Sequence, residues 1–331
     1  LPYPQAKNSE TRYHVRLVVQ RRVIMPALSF SAIPIGIRYM LLSAFGFALM
    51  SACVKYVSLN GIPVFEIVAS RALVSLIISY TDVRRKGLSP LGNNKPLLLL
   101  RGVLGTMALM CVYYAVTTLP LAEATVLQYT HPVFTAILGL VLLKERLQGA
   151  TLVCIALCLT GLYIMVQPNL NASIDDALPT FSVVVALMGA LGSSIAYVIV
   201  RKLSRTEDSS VIILYFPMIA LPVATVLMWP SFVLPSLSLT LLLVLVGVFT
   251  QVGQYGLTKA MQTQQAGQAS AYAYIQIVFS TLIGVWIFNE VPSIWTYIGG
   301  GLIVAGAVFN AMGHRLFSRV SAPNLGINRF V

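Results

Sequence analysis

The chain has 331 residues, of which 57% are hydrophobic and 10% charged, and its mean hydropathy is +0.83. A soluble globule carries about 25% charged side chains, so this composition points to a membrane protein. It excludes a disordered chain, a disulfide scaffold and a nucleic-acid binder, even with a formal net charge of +12.

In chain order, residues 1–37 read as a basic N-terminal segment. The stretch before Met25 carries Lys7, Arg12, Arg16, Arg21 and Arg22 against Glu10. It is expected to be a cytoplasmic or upstream translated piece rather than a targeting presequence, with Met25 as the true start. Ten apolar segments follow, each near the ~20 residues a helix needs to cross ~30 Å of hydrocarbon. They are predicted at 39–58, 63–81, 97–117, 122–143, 149–167, 181–200, 211–229, 237–258, 265–288 and 294–312. Polar clusters such as Asn60-Gly61, Arg84-Arg85-Lys86 and Glu207-Asp208 punctuate them. A tail, 317–331, closes the chain. Short loops between long spans make successive helices antiparallel.

Orientation follows from where the cations lie. With a cytoplasmic N-terminus, 20 of the 22 Lys and Arg residues fall on that side, Arg101 counted among them, and only Lys55 and Arg71 are left within spans. The expectation is an all-α, polytopic integral membrane protein of the cell or inner membrane with both termini cytoplasmic.

The sequence also repeats itself. An offset of 145 aligns Tyr129 with Tyr274, Phe134 with Phe279, Gly139 with Gly284, Glu145 with Glu290 and Gly161 with Gly306. Near the start of each half, an offset of 146 aligns Ala44 with Ala190, Gly46 with Gly192 and Lys55 with Arg201. The chain therefore reads as two repeats, 38–167 and 181–316, of five helices each. Five is odd, so the second copy enters from the other side and the pair is inverted.

Polar side chains within a bilayer face protein or a wet cavity. The eighth segment carries Gln251, Gln254, Tyr255 and Thr258 on one helical face, and the ninth carries Gln265, Gln268, Tyr272 and Gln276. The fourth gathers Thr125, Gln128, His131 and Thr135, the third adds Tyr113, Tyr114 and Thr117, and the sixth adds Ser193, Ser194 and Tyr197. Singly, each is better explained by an interhelical hydrogen bond worth ~0.6–2 kcal/mol. As a set on repeat-related helices they point to a shared chamber that binds a solute. Pro132 cannot donate to the carbonyl of Gln128, so the fourth helix should bend there and leave an acceptor free. The adjacent His131 reads as a substrate or proton contact, or as a neutral histidine bonded within the bundle.

Three charged positions stand out in the first two spans. Lys55 and Glu66 flank the turn at Asn60-Gly61 and read as a structural ion pair, with Lys55 as the contact of an anionic substrate in the sharper alternative. Arg71 lies ~12 Å into its helix and must face protein. Glu145 and Glu290 read as boundary residues favoured by a helix N-terminus. Ser182, Ala186, Ala190 and Ser194, and likewise Gly301 with Ala305, read as close-packing faces. No spacing of Cys53, Cys111, Cys154 and Cys158, and no His/Glu or nucleophile motif, calls for a metal, a cofactor or catalysis.

The motifs Arg101-Gly102-Val103-Leu104-Gly105, Tyr113-Tyr114-Ala115, Leu121-Ala122-Glu123-Ala124-Thr125, Pro132-Val133-Phe134-Thr135 and Leu143-Lys144-Glu145 resemble those of the EamA-type transporters of the drug/metabolite transporter superfamily. The run from Gln265 to Glu290 looks like the same motif again, with Gln268 where Glu123 stands and Gln276 where His131 stands. The first half is also similar to the solute carrier 35 group. The resemblance implies alternating access through a cavity lined by the first, third, fourth, sixth, eighth and ninth helices, and a structural role for Arg71 against carbonyls or Glu66. Together these readings predict a secondary carrier of a small organic metabolite, an amino acid or related solute, with lipid as its surroundings and no nucleic-acid partner. A nucleotide-sugar or phosphorylated-metabolite exchanger is the alternative within that class, set back because phosphate demands several convergent cations. A non-transporting receptor or scaffold is the alternative outside it, and short loops leave it little surface.

Overall fold

In the computed structural model the described residues are 34–119, 127–146, 148–170, 180–289 and 292–320, and all regular structure among them is helical. The helices are α1 (Ile35–Leu59), α2 (Val64–Arg85), α3 (Lys95–Thr118), α4 (His131–Leu142), α5 (Gly149–Leu170), α6 (Thr180–Leu203), α7 (Ser209–Met228), α8 (Leu237–Thr263), α9 (Ala266–Ala271), α10 (Ile275–Phe288) and α11 (Ile294–Val320). A 3-10 turn at Tyr272–Tyr274 joins α9 to α10. Glu123, Asp175, Asp176 and Glu290 lie outside the described residues.

Each predicted segment contains a helix. Among the described residues, seven segments are long and apolar enough to cross a membrane, and His131–Leu142, Gly149–Met165 and Ile294–Asn310 are shorter apolar helices. Several run past their predicted ends: α2 continues to Arg85, α6 to Leu203 and α8 to Thr263. Long basic side chains at such ends reach water while their stems cover apolar surface, so the helix need not stop where the apolar run does. The fourth segment differs. Instead of one bent helix, α4 starts at His131 with Pro132 in its first turn, after a turn at Tyr129–Thr130.

Large apolar side chains face outward all round the bundle, among them Ile77, Met107, Val141, Met188, Val226, Leu241 and Leu282. Only hydrocarbon makes such a surface favourable. The three tryptophans of the chain, Trp229, Trp286 and Trp295, are exposed near the helix ends opposite the cluster of cations. Indoles favour the boundary between acyl chains and water.

The main packing partners come from opposite halves of the chain: α1 lies on α8, α2 on α7 and α8, α3 on α6 and α7, α5 on α11, and α4 on α6 and α9. Helices cannot associate in lipid by hiding apolar surface, so small residues and polar contacts carry the interfaces. Ser43 donates to the carbonyl of Gly253 at 2.8 Å between α1 and α8. Between α5 and α11, Gly161 and Gly299 bring their backbones so close that a Cβ on either would strike the carbonyl of the other. Ser182, Ala186, Ala190 and Ser194 are all buried as expected. Gly301 and Ala305 are exposed. The packing face of α11 runs instead through Gly299, Ile303, Gly306 and Asn310, because the helix turns its opposite side to α5.

At the cation-rich end, hereafter the basic end, polar bonds tie the halves together. Lys86 bridges Asp82 at 2.9 Å and Asp208 at 3.3 Å, and the carboxylate of Glu207 accepts the N–H groups of Asn93 and Asn94 at 2.8 and 2.7 Å. Partial burial pushes the carboxyl of Asp208 up, but the N–H and hydroxyl of Ser210 and the Lys86 ammonium outweigh it and hold it below the usual carboxylate range. Glu145 does more than mark a boundary. It is buried, pairs with Arg201 Nε at 2.7 Å and accepts the N–H of Ala266 at 2.7 Å, while Arg201 also donates to the carbonyl of Met261 at 2.7 Å.

Two stability measurements follow. Gly299→Ala is expected to cost about 1–3 kcal/mol and to lower the melting temperature of the purified protein. Gly300→Ala, where an added Cβ meets nothing within 4 Å, should leave it unchanged; equal melting for both would contradict the close α5–α11 approach. Glu145→Gln strands the Arg201 guanidinium and should cost up to about 3–5 kcal/mol, and adding Arg201→Gln should recover part of it. Additive losses in that double-mutant cycle would dismiss the clamp.

Candidate functional site

Breaking a helix inside an apolar segment releases backbone groups that need partners, and the polar side chains of this protein gather where two helices break. One break is Tyr129–Thr130, forced by Pro132; the other is the 3-10 turn Tyr272–Tyr274. The hydroxyl of Tyr274 donates to the carbonyl of Tyr129 at 2.8 Å and their rings stack at 5.9 Å. Ser194 of α6 donates to the carbonyl of His131 at 2.8 Å. Ser270 of α9 donates to that of Pro132 at 3.5 Å. The acceptor freed by the break and used here is thus that of Tyr129, one residue beyond the Gln128 carbonyl singled out from the sequence, while Ser194 and Ser270 bond to carbonyls of the first turn of α4.

His131 is 6% exposed. Its ring meets Tyr197 edge-on at 5.3 Å and lies 6.1 Å from Tyr129, and its Nδ1 is buried with no hydrogen-bond partner. Orphaned buried polar atoms recur on predicted residues of the two broken segments: Gln128 Oε1, Gln268 Nε2 and the Tyr272 hydroxyl. Each costs free energy until something bonds to it. His131, Gln128, Tyr197, Gln268 and Tyr272 thus come from α4 and its leading turn, α6, and the α9 to 3-10 segment.

Other predicted residues fall elsewhere. Gln251 donates to Ser79 of α2 at 2.8 Å while its Oε1 stays unpartnered. Gln254 and Gln276 are half-buried. Tyr255 sits edge-on to Tyr39 at 6.3 Å, with Lys259 5.8 Å from its ring. Tyr113 packs with Val68, Ala69 and Ala224. Tyr114 is 40% exposed, edge-on to Phe181 at 5.8 Å. Neither tyrosine is brought to His131, because the face of α3 that carries them turns toward α2 and α7 or outward.

The charged positions also take unexpected partners. Lys55 Nζ lies 4.6 Å from the Phe288 ring, beside a cleft of about 310 Å³ lined by Cys53, Tyr56, Asn60, Ser236 and Phe288. Glu66 is 2% exposed and accepts the N–H of Val233 at 3.0 Å, so the expected Lys55–Glu66 pair is replaced by a carboxylate holding the α7–α8 connection. Arg71 is buried against neither carbonyls nor Glu66; it contacts Met50 Sδ at 3.7 Å and stands 5.9 Å from the Phe216 ring.

Sequence reasoning missed Arg101. It was counted with the loop cations, yet it is 3% exposed inside α3, stands 5.3 Å from the Phe216 ring and is near enough to Tyr197 for the two to interact electrostatically. Its place in an otherwise apolar run after Leu97-Leu98-Leu99-Leu100 was the available signal. Tyr129 and Tyr274 were visible as repeat mates, and nothing in the sequence joined them in one hydrogen bond. Among the described residues no group of His, Cys, Asp and Glu is placed to hold a metal.

Comparison with known proteins agrees with this architecture. The EamA-like transporter family model matches residues 34–167 and 180–312. The pseudopaline exporter of Pseudomonas aeruginosa is 34% identical over 280 residues, covering 82% of this chain and 94% of that protein. Human solute carrier family 35 member G1 is 32% identical over 285 residues, covering 82% of this chain and 77% of that protein. A crystal structure superposes with a TM-score of 0.72 at 22% identity, over 87% of this chain and 99% of that one, which speaks to the fold alone. On its sequence, its helical architecture and these relatives, the chain is a multi-pass integral membrane protein of the EamA-like transporter family, in the drug/metabolite transporter superfamily.

Proposed function

We propose that this protein is a secondary transporter that moves a small organic metabolite, an amino acid or related solute, by alternating access. The carrying observation is the junction of two broken helices, one from each half, where His131, Tyr197, Gln128, Gln268 and Tyr272 present buried polar groups, most of them unpartnered. The relatives named as transporters support the class, and an exporter among them supports outward movement.

The membrane arrangement belongs to this reading: ten spans in two inverted repeats, 38–167 and 181–316, flanked by segments 1–37 and 317–331, both termini cytoplasmic. Exchanging the five helices of one half for those of the other turns α1 on α8 into α6 on α3, α2 on α8 into α7 on α3, and α1 on α10 into α6 on α4, and all of these packings occur. The same exchange carries the break at Tyr129 to that at Tyr274. It also relates Lys144 and Asn289, which are the non-glycine residues with positive φ among those described, at 54° and 51°. Two halves of opposite sense can swap conformations, which exposes one central site to each side in turn. Charged pairs and carboxylate clamps close the basic end, so opening on that side requires Glu145–Arg201 and Lys86–Asp208 to separate.

Proteoliposomes loaded with a mixture of amino acids and related metabolites should show counterflow of at least one of them by mass spectrometry. Vesicles with protein matching empty ones for every solute would refute transport. His131→Ala should lower that counterflow about tenfold, the effect of ~1.4 kcal/mol, with folded protein undiminished; unchanged flux at equal expression rejects His131 as a contact. Cysteines at Arg85 and Asp175 should react with an impermeant thiol reagent from opposite faces of the membrane. Labelling of both from one face would overturn the ten-span inverted arrangement.

A further inference from the structure

We propose that Arg101 is the anion-binding residue of this site and that the transported solute carries a carboxylate. This rests on the transport reading for its meaning, while its geometry stands independently. Arg101 begins ~9 Å inside α3 at ~1.5 Å per residue. Side chains on a helix lean toward its N-terminus, which for α3 is the basic end, and a cation in that position ordinarily reaches for the interface. Arg101 does the reverse. Its Nη1 lies over Gly105, one turn deeper, so tightly that a Cβ at 105 would collide with it. The sequence thus places the small residue where the guanidinium folds inward.

Once inside, the guanidinium meets no counter-charge among the described residues. No carboxylate among the described residues lies within ion-pair distance of Arg101, and its Nε and Nη1 are buried without a hydrogen-bond partner. Its neighbours are the Phe216 ring at 5.3 Å, which Arg71 approaches at 5.9 Å from α2, and Tyr197 of α6. A ring face attracts a cation without satisfying its donors. A buried charge in this state is sustained by a ligand or is a net liability. Nε, which is unpartnered, and Nη2 form the edge of the guanidinium that matches the two oxygens of a carboxylate. Arg71 turns its Nη1 to the Met50 sulfur, so the buried guanidinium donors left without a partner among the described residues are those of Arg101 alone, which suits a monoanionic carboxylate better than a phosphate that calls for several convergent cations. A carboxylate held there would direct the rest of the solute along Tyr197 toward His131, whose ring meets that tyrosine.

The test uses the purified full chain in detergent and in liposomes, with the twenty protein amino acids, their carboxamides, inorganic phosphate and glucose 6-phosphate as probes. At least one free carboxylate should raise the melting temperature of the wild type, its carboxamide should not, and Arg101→Gln should weaken that binding at least tenfold. Gly105→Ala, which keeps the arginine and blocks its inward fold, should weaken it as well. Without probe, Arg101→Gln should melt no lower than the wild type, since it removes an uncompensated buried charge; a structural arginine would give the opposite shift. Lower melting of Arg101→Gln without probe, equal stabilisation by acid and amide, stabilisation by phosphates alone, or no stabilisation by any carboxylate overturns the proposal. Counterflow of a neutral solute that Arg101→Gln leaves intact would sink the anion site and spare the transporter. Carboxylate binding at Arg101 without counterflow of any solute would do the reverse.

Discussion

A helix interrupted within lipid exposes carbonyl and amide groups that the solvent cannot satisfy, and each must find a partner in the protein. The rest of this structure depends on how that requirement is met. Pro132 stops the fourth segment at Tyr129–Thr130; the released carbonyl of Tyr129 is taken by Tyr274, and Ser194 and Ser270, also from the other half of the chain, bond to the His131 and Pro132 carbonyls of the next turn. The break and its repair hold the two halves in register. The same break forces polar side chains into one place, because the groups that satisfy a backbone acceptor bring hydroxyls, rings and amides along with them.

Around that junction the bundle divides its labour by residue type. Small residues let helix backbones approach, as at Gly161–Gly299 and along Ser182, Ala186, Ala190 and Ser194, where close van der Waals contact replaces the hydrophobic drive that lipid cannot supply. Charges concentrate at the basic end, where water begins, in clamps that join loops of the first half to those of the second. The opposite end has its tryptophans and the cleft beside Lys55 and Phe288. Under alternating access, the clamps and the aromatic contacts are the groups that must yield in turn, and the proposed site between them stays near the junction.

Arg101 shows how far a charge can be read from a sequence. Tallying cations by loop assigns it to the aqueous boundary, which is where most residues so close to a helix start belong. Its burial is decided by a glycine one turn further along and an aromatic ring on α7, residues whose convergence on it no periodicity expresses. The Lys55–Glu66 pair failed for a related reason. Similar depth on neighbouring helices permits a contact, but the rotation of each helix chooses it, and Glu66 meets the N–H of Val233 instead. Tyr113 and Tyr114 share α3 with Arg101 and are kept from His131 by the same kind of rotation.

The sequence alone determined what periodicity and solvent matching encode: a membrane protein, its ten apolar segments, the end at which its cations gather, the internal repeat, and a disturbance of the fourth segment at Pro132, legible as a bend and not as the full break. Each of these depends on residue type and spacing along the chain, so no knowledge of neighbours is needed. Tertiary structure decided which half partners which, that Glu145 clamps Arg201 and Ala266, that Gly299 and not Gly301 meets the neighbouring helix, and that Arg101 turns inward. Those outcomes depend on the rotation of each helix about its axis, which is set by packing among helices distant in sequence, and a linear pattern specifies a face without naming what it will meet.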